Sequence, residues 1–166
     1  MAELKGKQRL GEALTQPQRP SPVLSAFQFM HASNDVPSDP EGVQGASLNV
    51  RTGRLLQAGV TDRWMVGGHP DNAGKAIPET SITGRGINFR QAVDHVQKVS
   101  RLTQGQPVAV AAGSWYSPEK NHIALDASTP VEHQHDAEQL MKQRNEDATF
   151  HLKSFTEVKN PLKGSR

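Results

Sequence analysis

PVAVAAGSWYSPEKNHIALDAS, residues 107–128, holds two apolar runs separated by a polar turn that carries a proline. Pro118 presets φ for a type I turn and the flanking residues alternate, so the stretch reads as a β-hairpin. In its second strand Ile123, Leu125 and Ala127 share one face, while His122, Ala124 and Asp126 share the other. The apolar set must meet the helices, which leaves His122 and Asp126 on the opposite face. Four residues at about 3.3 Å each put them ~13 Å apart, too far for a direct hydrogen bond. They read as the polar face of an antiparallel sheet, a face that commonly stays in water. An Asp126→Asn exchange there is expected to cost under about 0.5 kcal/mol, as an ordinary surface change.

Helical signals flank the hairpin. Asn88 with Gln91 three residues later forms a capping-box pattern, and Phe89, Ala92, Val93, Val96, Val99 and Leu102 recur at helical spacing before Gly105, predicting a helix over 89–104. After the hairpin, Thr129 as N-cap, Pro130 at the first helical position and Glu132 closing a capping box predict a second helix ending near Asn145. ATFHLKSF then alternates, with Ala148, Phe150 and Leu152 on one face of a strand. Upstream, ASLNVRTGRLLQAG reads as two short strands joined at Thr52-Gly53, and DRWMVGG as a third. The expected class is α+β: an antiparallel sheet with two helices on one face, in β-α-β-β-α-β order preceded by a hairpin. That is the split βαβ order of ferredoxin-like sandwiches.

The ends differ from this body. TQPQRPSPV at 15–23 carries three prolines and favours an extended linker. VLSAFQFMH at 23–31 is an apolar island, open to reading as a docking strand, a short helix, a segment that packs on a partner, or an arm folded back on its own core. SNDVPSDPEG follows as a boundary loop. Residues 1–45 are therefore expected to be an extended, partly disordered N-terminal arm and linker, residues 46–158 the domain, and 159–166 a basic tail. Deleting residues 1–40 should then leave the domain folded.

Composition narrows the function classes. The 166 residues suffice for one core and are short for two. Hydrophobic residues make 34% and aromatics 5%, with mean hydropathy −0.64, so the core is modest. The chain has no cysteine, which excludes disulfides, thiolate metal sites and cysteine nucleophiles. VAVAA at 108–112, among the longest apolar runs, falls far below the ~20 residues that cross a bilayer. No apolar segment follows the charged N-terminus, so a soluble cytoplasmic or virion-associated protein is expected. The net charge of +2 is uneven: residues 1–20 hold four basic and two acidic side chains, and residues 151–166 hold four and one. Basic termini make nucleic acid a possible partner, although no run reaches the five or six like charges of a polyanion tail.

Candidate chemical motifs thin out on inspection. In EHQHD, 132–136, His133 and His135 stand two apart on a predicted helix and point to nearly opposite sides, unlike the four-residue spacing of helical zinc sites. GGHPDNAGK, 67–75, has five residues between Gly68 and Gly74 and Ala76 after Lys75. It therefore fails as a phosphate loop and reads as a mobile Gly/Pro loop. No G-x-S-x-G elbow occurs, and no metal or cofactor is expected. Trp115 and Tyr116 sit where the hairpin begins to turn, one ring capping the core edge and one partly exposed.

NVRTG, WMVGG, WYSPEKNHIALDAS and DAEQLMKQRNEDATFHL occur in succession. This succession resembles an uncharacterised domain that recurs in bacteriophage proteins and in large actinobacterial and mobile-element proteins. The resemblance spans roughly residues 45–155. Trp115, Leu125, Asp126 and Ser128 match its hairpin, Met65 and Val66 its earlier strand, and Phe150 and Leu152 its last. Ala127 replaces a common valine, and His151 stands where aspartate is usual. The resemblance implies a phage or mobile-element setting and no particular reaction.

The resulting expectation is a protein-binding module attached to a protein partner through its N-terminal arm. Phe27, Phe29 and Met30 are candidate contacts on the arm, and Trp115, His122 and Asp126 candidates on the sheet. The alternative is an enzyme acting on nucleic acid or nucleotides through the polar sheet face, with Arg51, Arg54 or Arg63 converging on His122 and Asp126.

Overall fold

The computed structural model describes residues 19–163, and the basic N-terminal stretch before Arg19 and the last three residues lie outside them. Within that span the fold is α+β, with three helices and one eight-stranded sheet whose pairings are all antiparallel.

The first element departs from the sequence reading. Pro22–Asn34 is a helix, α1, capped by Ser21, whose side chain accepts from the Leu24 amide. The prolines do not prevent it, because Pro22 falls in the first turn, where a helix has no use for the missing N–H. It is no detached arm. Phe29 is fully buried in the same apolar cluster as Leu48, Val99 and Leu125, and Met30 packs against that cluster. Polar bonds fix α1 as well. The Ser25 hydroxyl donates to Gly53 O at 2.7 Å, and Ser33 and Ser114 hydroxyls share a 2.6 Å bond. Asn34 exchanges two 2.8 Å bonds with the main chain of Ile87. The packed unit therefore starts well before residue 46.

Strands β1 (Gly45–Asn49) and β2 (Arg54–Leu55) form the expected hairpin, turned by Gly53 at φ 69. Strand β3 (Trp64–Val66) follows, then β4 (Thr80–Thr83), which has no apolar alternation and escaped the sequence reading. Helix α2 (Phe89–Leu102) has the capping box formed, with the Asn88 side chain accepting from the Gln91 amide and the Gln91 side chain accepting from the Asn88 amide. Strands β5 (Ala111–Ser117) and β6 (His122–Val131) make the hairpin of the opening stretch.

Strand β6 continues through Thr129 and Pro130, where a helix start was expected. β5 stops opposite Ser128, so Pro130 has a strand, β3, on one side only, the kind of position in a sheet that tolerates proline. The Thr129 hydroxyl is engaged by Arg144 and His69 rather than by a helix N-terminus. Helix α3 begins later, at Gln134–Gln143, and strands β7 (Ala148–His151) and β8 (Thr156–Lys159) close the chain as a hairpin. The expected tail from 159 is partly structural: Asn160 is buried, and its side-chain amide donates to Glu146 O at 2.9 Å.

The strand order is β2-β1-β5-β6-β3-β7-β8, with β4 paired to the first half of β6. β3, which precedes β4 and α2 in the chain, and β5, which follows them, are both antiparallel to β6 between them and so run parallel to each other. Ile123, Leu125 and Ala127 do face the helices, in the cluster that holds Phe29, Ala92 and Val99. Trp64 and Val66 pack with Ala137 and Met141 of α3. The reverse face is only partly wet: Met65, Ala111 and Leu152 form a third cluster there, with Leu56 and Phe150 against it.

Candidate functional site

Strand register places Asp126 directly opposite Gly113, on the face away from Leu125. The glycine is what admits it: a Cβ on Gly113 would overlap the Asp126 carboxylate. Asp126 lies at the notch of β6 between the part that pairs with β4 and the part that pairs with β3. Gly67 and Gly68, just past β3, form the notch wall. A Cβ on Gly67 would stand 3.4 Å from Asp126 Oδ2 and 3.0 Å from Glu146 Oε2, and one on Gly68 would collide with Glu146 Oε1. Three missing side chains thus leave room for the Asp126 and Glu146 carboxyl groups in one notch.

The electrostatics follow from that crowding. Asp126 as a residue keeps some solvent contact, yet protein atoms enclose its carboxyl, and this enclosure governs its proton affinity. Burial pushes it up to about 6; the Ser128 hydroxyl, donating at 3.1 Å, pulls the other way, and Glu79 and Glu146 push it further up. Burial also raises Glu146, with Lys163 opposing and Glu79 and Asp147 adding to the rise. A carboxyl raised to about 6 is mostly ionised at neutral pH and gains its proton about one unit below it. Among the described residues no group of three or more His, Asp or Glu side chains is arranged to hold a metal ion.

A chain of bonds anchors the notch. Arg144 Nη1 donates to Gly67 O at 3.1 Å and to the Thr129 hydroxyl at 2.8 Å. Thr129 and His69 Nδ1 are 2.6 Å apart, and His69 Nε2 is 2.7 Å from the Gln106 side-chain oxygen. That oxygen only accepts, so His69 carries its proton on Nε2 and Thr129 donates to Nδ1. The segment read as a mobile loop is therefore tied down: His69 is buried and bonds Ala127 and Ile77 through its main chain, and Pro70 bridges Ala76. Behind the sheet, burial of His95 brings its imidazole down to about 4, and the neutral ring donates Nε2–H to Asp126 O at 2.8 Å.

The sequence-derived candidates scatter. His122 pairs with Ser117 and Thr83 at the far end of β6 and does not join Asp126. Arg51 bonds the main chain of Gln106 and Val108, Arg63 bonds Asp62 O, and Arg54 lines a groove beside α1, so no arginine cluster forms on the sheet face. Phe29 is core, Met30 is half-buried, Phe27 is exposed, and Trp115 is 48% exposed. His151 stacks on Trp64 and bonds Asp62 at 2.8 Å and Ser154 at 2.6 Å. Asp62 is mostly in water, so this chain ties the β7–β8 turn to the loop before β3. Glu146 was missed entirely; glycine inside β5 opposite an acidic residue was the one sequence signal of a close approach.

No family model, no curated protein and no solved structure matches this chain.

Proposed function

We propose that this domain is a protein-binding module that docks through the outer face of α1. The observation that carries the reading is the contiguous exposure of Val23, Leu24 and Phe27 at 66%, 45% and 47% on a helix whose other side is core. Three large apolar side chains at neighbouring helical positions mark an interaction surface better than the same residues scattered singly. A groove alongside them, lined by Leu24, Phe27, His31, Arg54 and Leu55, suits the apolar face of a partner helix. The attachment surface is then part of the folded domain rather than an appendage. The resemblance of the R-T-G, M-V and W…L-D-x-S segments supports a phage or mobile-element setting, with the protein in the host cytoplasm or on the virion.

Baits of wild type, Phe27→Asp and Trp115→Asp test this, since both substituted side chains are exposed aromatics on different faces. A partner kept by wild type and Trp115→Asp and lost by Phe27→Asp is the expected result. A partner set unchanged in Phe27→Asp, with its circular dichroism intact, refutes docking through α1.

A further inference from the structure

On the other side of α1, between its N-terminus, the β1–β2 turn and the last turns of α2, the surface folds into a groove of about 800 Å³. That volume lies within the range of small-ligand sites. Its floor is aliphatic, with Leu48, Val50 and Val110 buried beneath it. Its rim is cationic: Arg19, Arg51 and Arg101 line it with one carboxylate, Asp94, which itself stands 3.9 Å from Arg90, while Lys98 beside them turns its ammonium to Pro78 O and Thr80 Oγ1. With a net charge of only +2 on the whole chain, three arginines in one concavity are a local concentration rather than the chain average.

Two of these cations are held in place. Arg19 Nη2 donates to Val50 O at 2.8 Å, and Arg51 Nη2 donates to Gln106 O and to Val108 O. Each bond set uses a single nitrogen of a guanidinium that carries five N–H donors in a fixed fork. A ligand anion would meet pre-positioned forks and would not have to order flexible side chains. Gly53, at φ 69, lets this wall close, because a Cβ there would stand 2.8 Å from Ser25 Oγ.

We propose that this groove binds a phosphate-bearing nucleotide unit, its phosphates on the rim arginines and its base or sugar on the aliphatic floor. Charge complementarity selects the anion, and the apolar floor selects one with a body to bury. This site stands apart from the α1 docking face and does not depend on it.

The test uses the full chain with three probes: a nucleoside triphosphate, inorganic pyrophosphate, and a labelled oligothymidylate of about twelve nucleotides, a length matched to single-strand grooves. Arg101, exposed in the last turn of α2, is the informative position, and Lys120 in the β5–β6 turn is the control. The triphosphate is expected to bind about tenfold tighter than pyrophosphate. Arg101→Glu should weaken it by at least about tenfold, while Lys120→Glu leaves it unchanged. Arg101→Ala should lower the salt slope of binding by about one phosphate contact. If the oligonucleotide binds and the triphosphate displaces it, the nucleotide unit is taken from a polymer; triphosphate binding alone makes it a free nucleotide. Equal affinity for pyrophosphate and triphosphate overturns the role of the floor. The proposal fails altogether if no probe saturates the protein, if Arg101→Glu changes nothing, or if the oligonucleotide binds without competition from the triphosphate.

Discussion

Replacing Asp126 by Asn should stabilise this protein at pH 8 and leave it nearly unchanged at pH 4. In the folded chain the Asp126 carboxyl titrates at about 6 instead of the ordinary 3.8. A raised carboxyl favours the folded state only while it is protonated. Its contribution is complete below the unfolded value, falls as pH rises between the two, and is gone above about 6. At 1.36 kcal/mol per pH unit the difference amounts to about 3 kcal/mol at most. Asn mimics the protonated acid and carries no charge to desolvate, so it should recover about 1–3 kcal/mol of this above pH 6. Urea titrations of both proteins from pH 4 to pH 8, followed by tryptophan fluorescence, give the difference directly. The contribution of His95 is common to both proteins and cancels in that difference. The expected difference grows between pH 4 and pH 6 and then levels. Parallel pH profiles, or an Asn variant less stable than wild type at pH 8, would refute the enclosed carboxyl pair and return Asp126 to an open polar face.

Phe29→Ala should cost about 3–5 kcal/mol, because it empties a fully buried site between α1 and the sheet. For the same reason a chain beginning at residue 41 should show no cooperative urea transition, and a sharp one would restore the detached arm. Gly113→Ala should cost about 1–3 kcal/mol by driving a methyl group into the Asp126 carboxylate. Combined with Asp126→Ala, that cost should fall by at least about 0.5 kcal/mol in a double-mutant cycle, and strict additivity would remove the contact.

The elements that could be read from the chain are those whose signals are local. The capping box at Asn88 and Gln91, the 3.6-residue period that follows it, and the alternation around Pro118 each concern residues a few positions apart, and each appears in the fold. The failures share a cause. Thr129-Pro130 carries a helix-start pattern, but pairing with β3 and the bonds from Arg144 and His69 hold it extended. β4 is a strand because β6 offers it an edge, not because TSIT alternates. α1 hid behind prolines that happen to sit before and at its first turn.

By itself the sequence determined an α+β chain, its central hairpin, its amphipathic second helix and the inward face of β6, because hydrophobic period and capping chemistry act over a few residues and do not depend on what lies across the core. Only the tertiary structure decided that Asp126 shares a notch with Glu146, a residue twenty positions away beyond α3, and that Arg19, Arg51 and Arg101 share one groove. Proton affinity and charge concentration depend on distance and solvent exclusion between groups remote in sequence. Those quantities exist only once β3, β6 and α3 have met at the notch and α1 has packed beside α2.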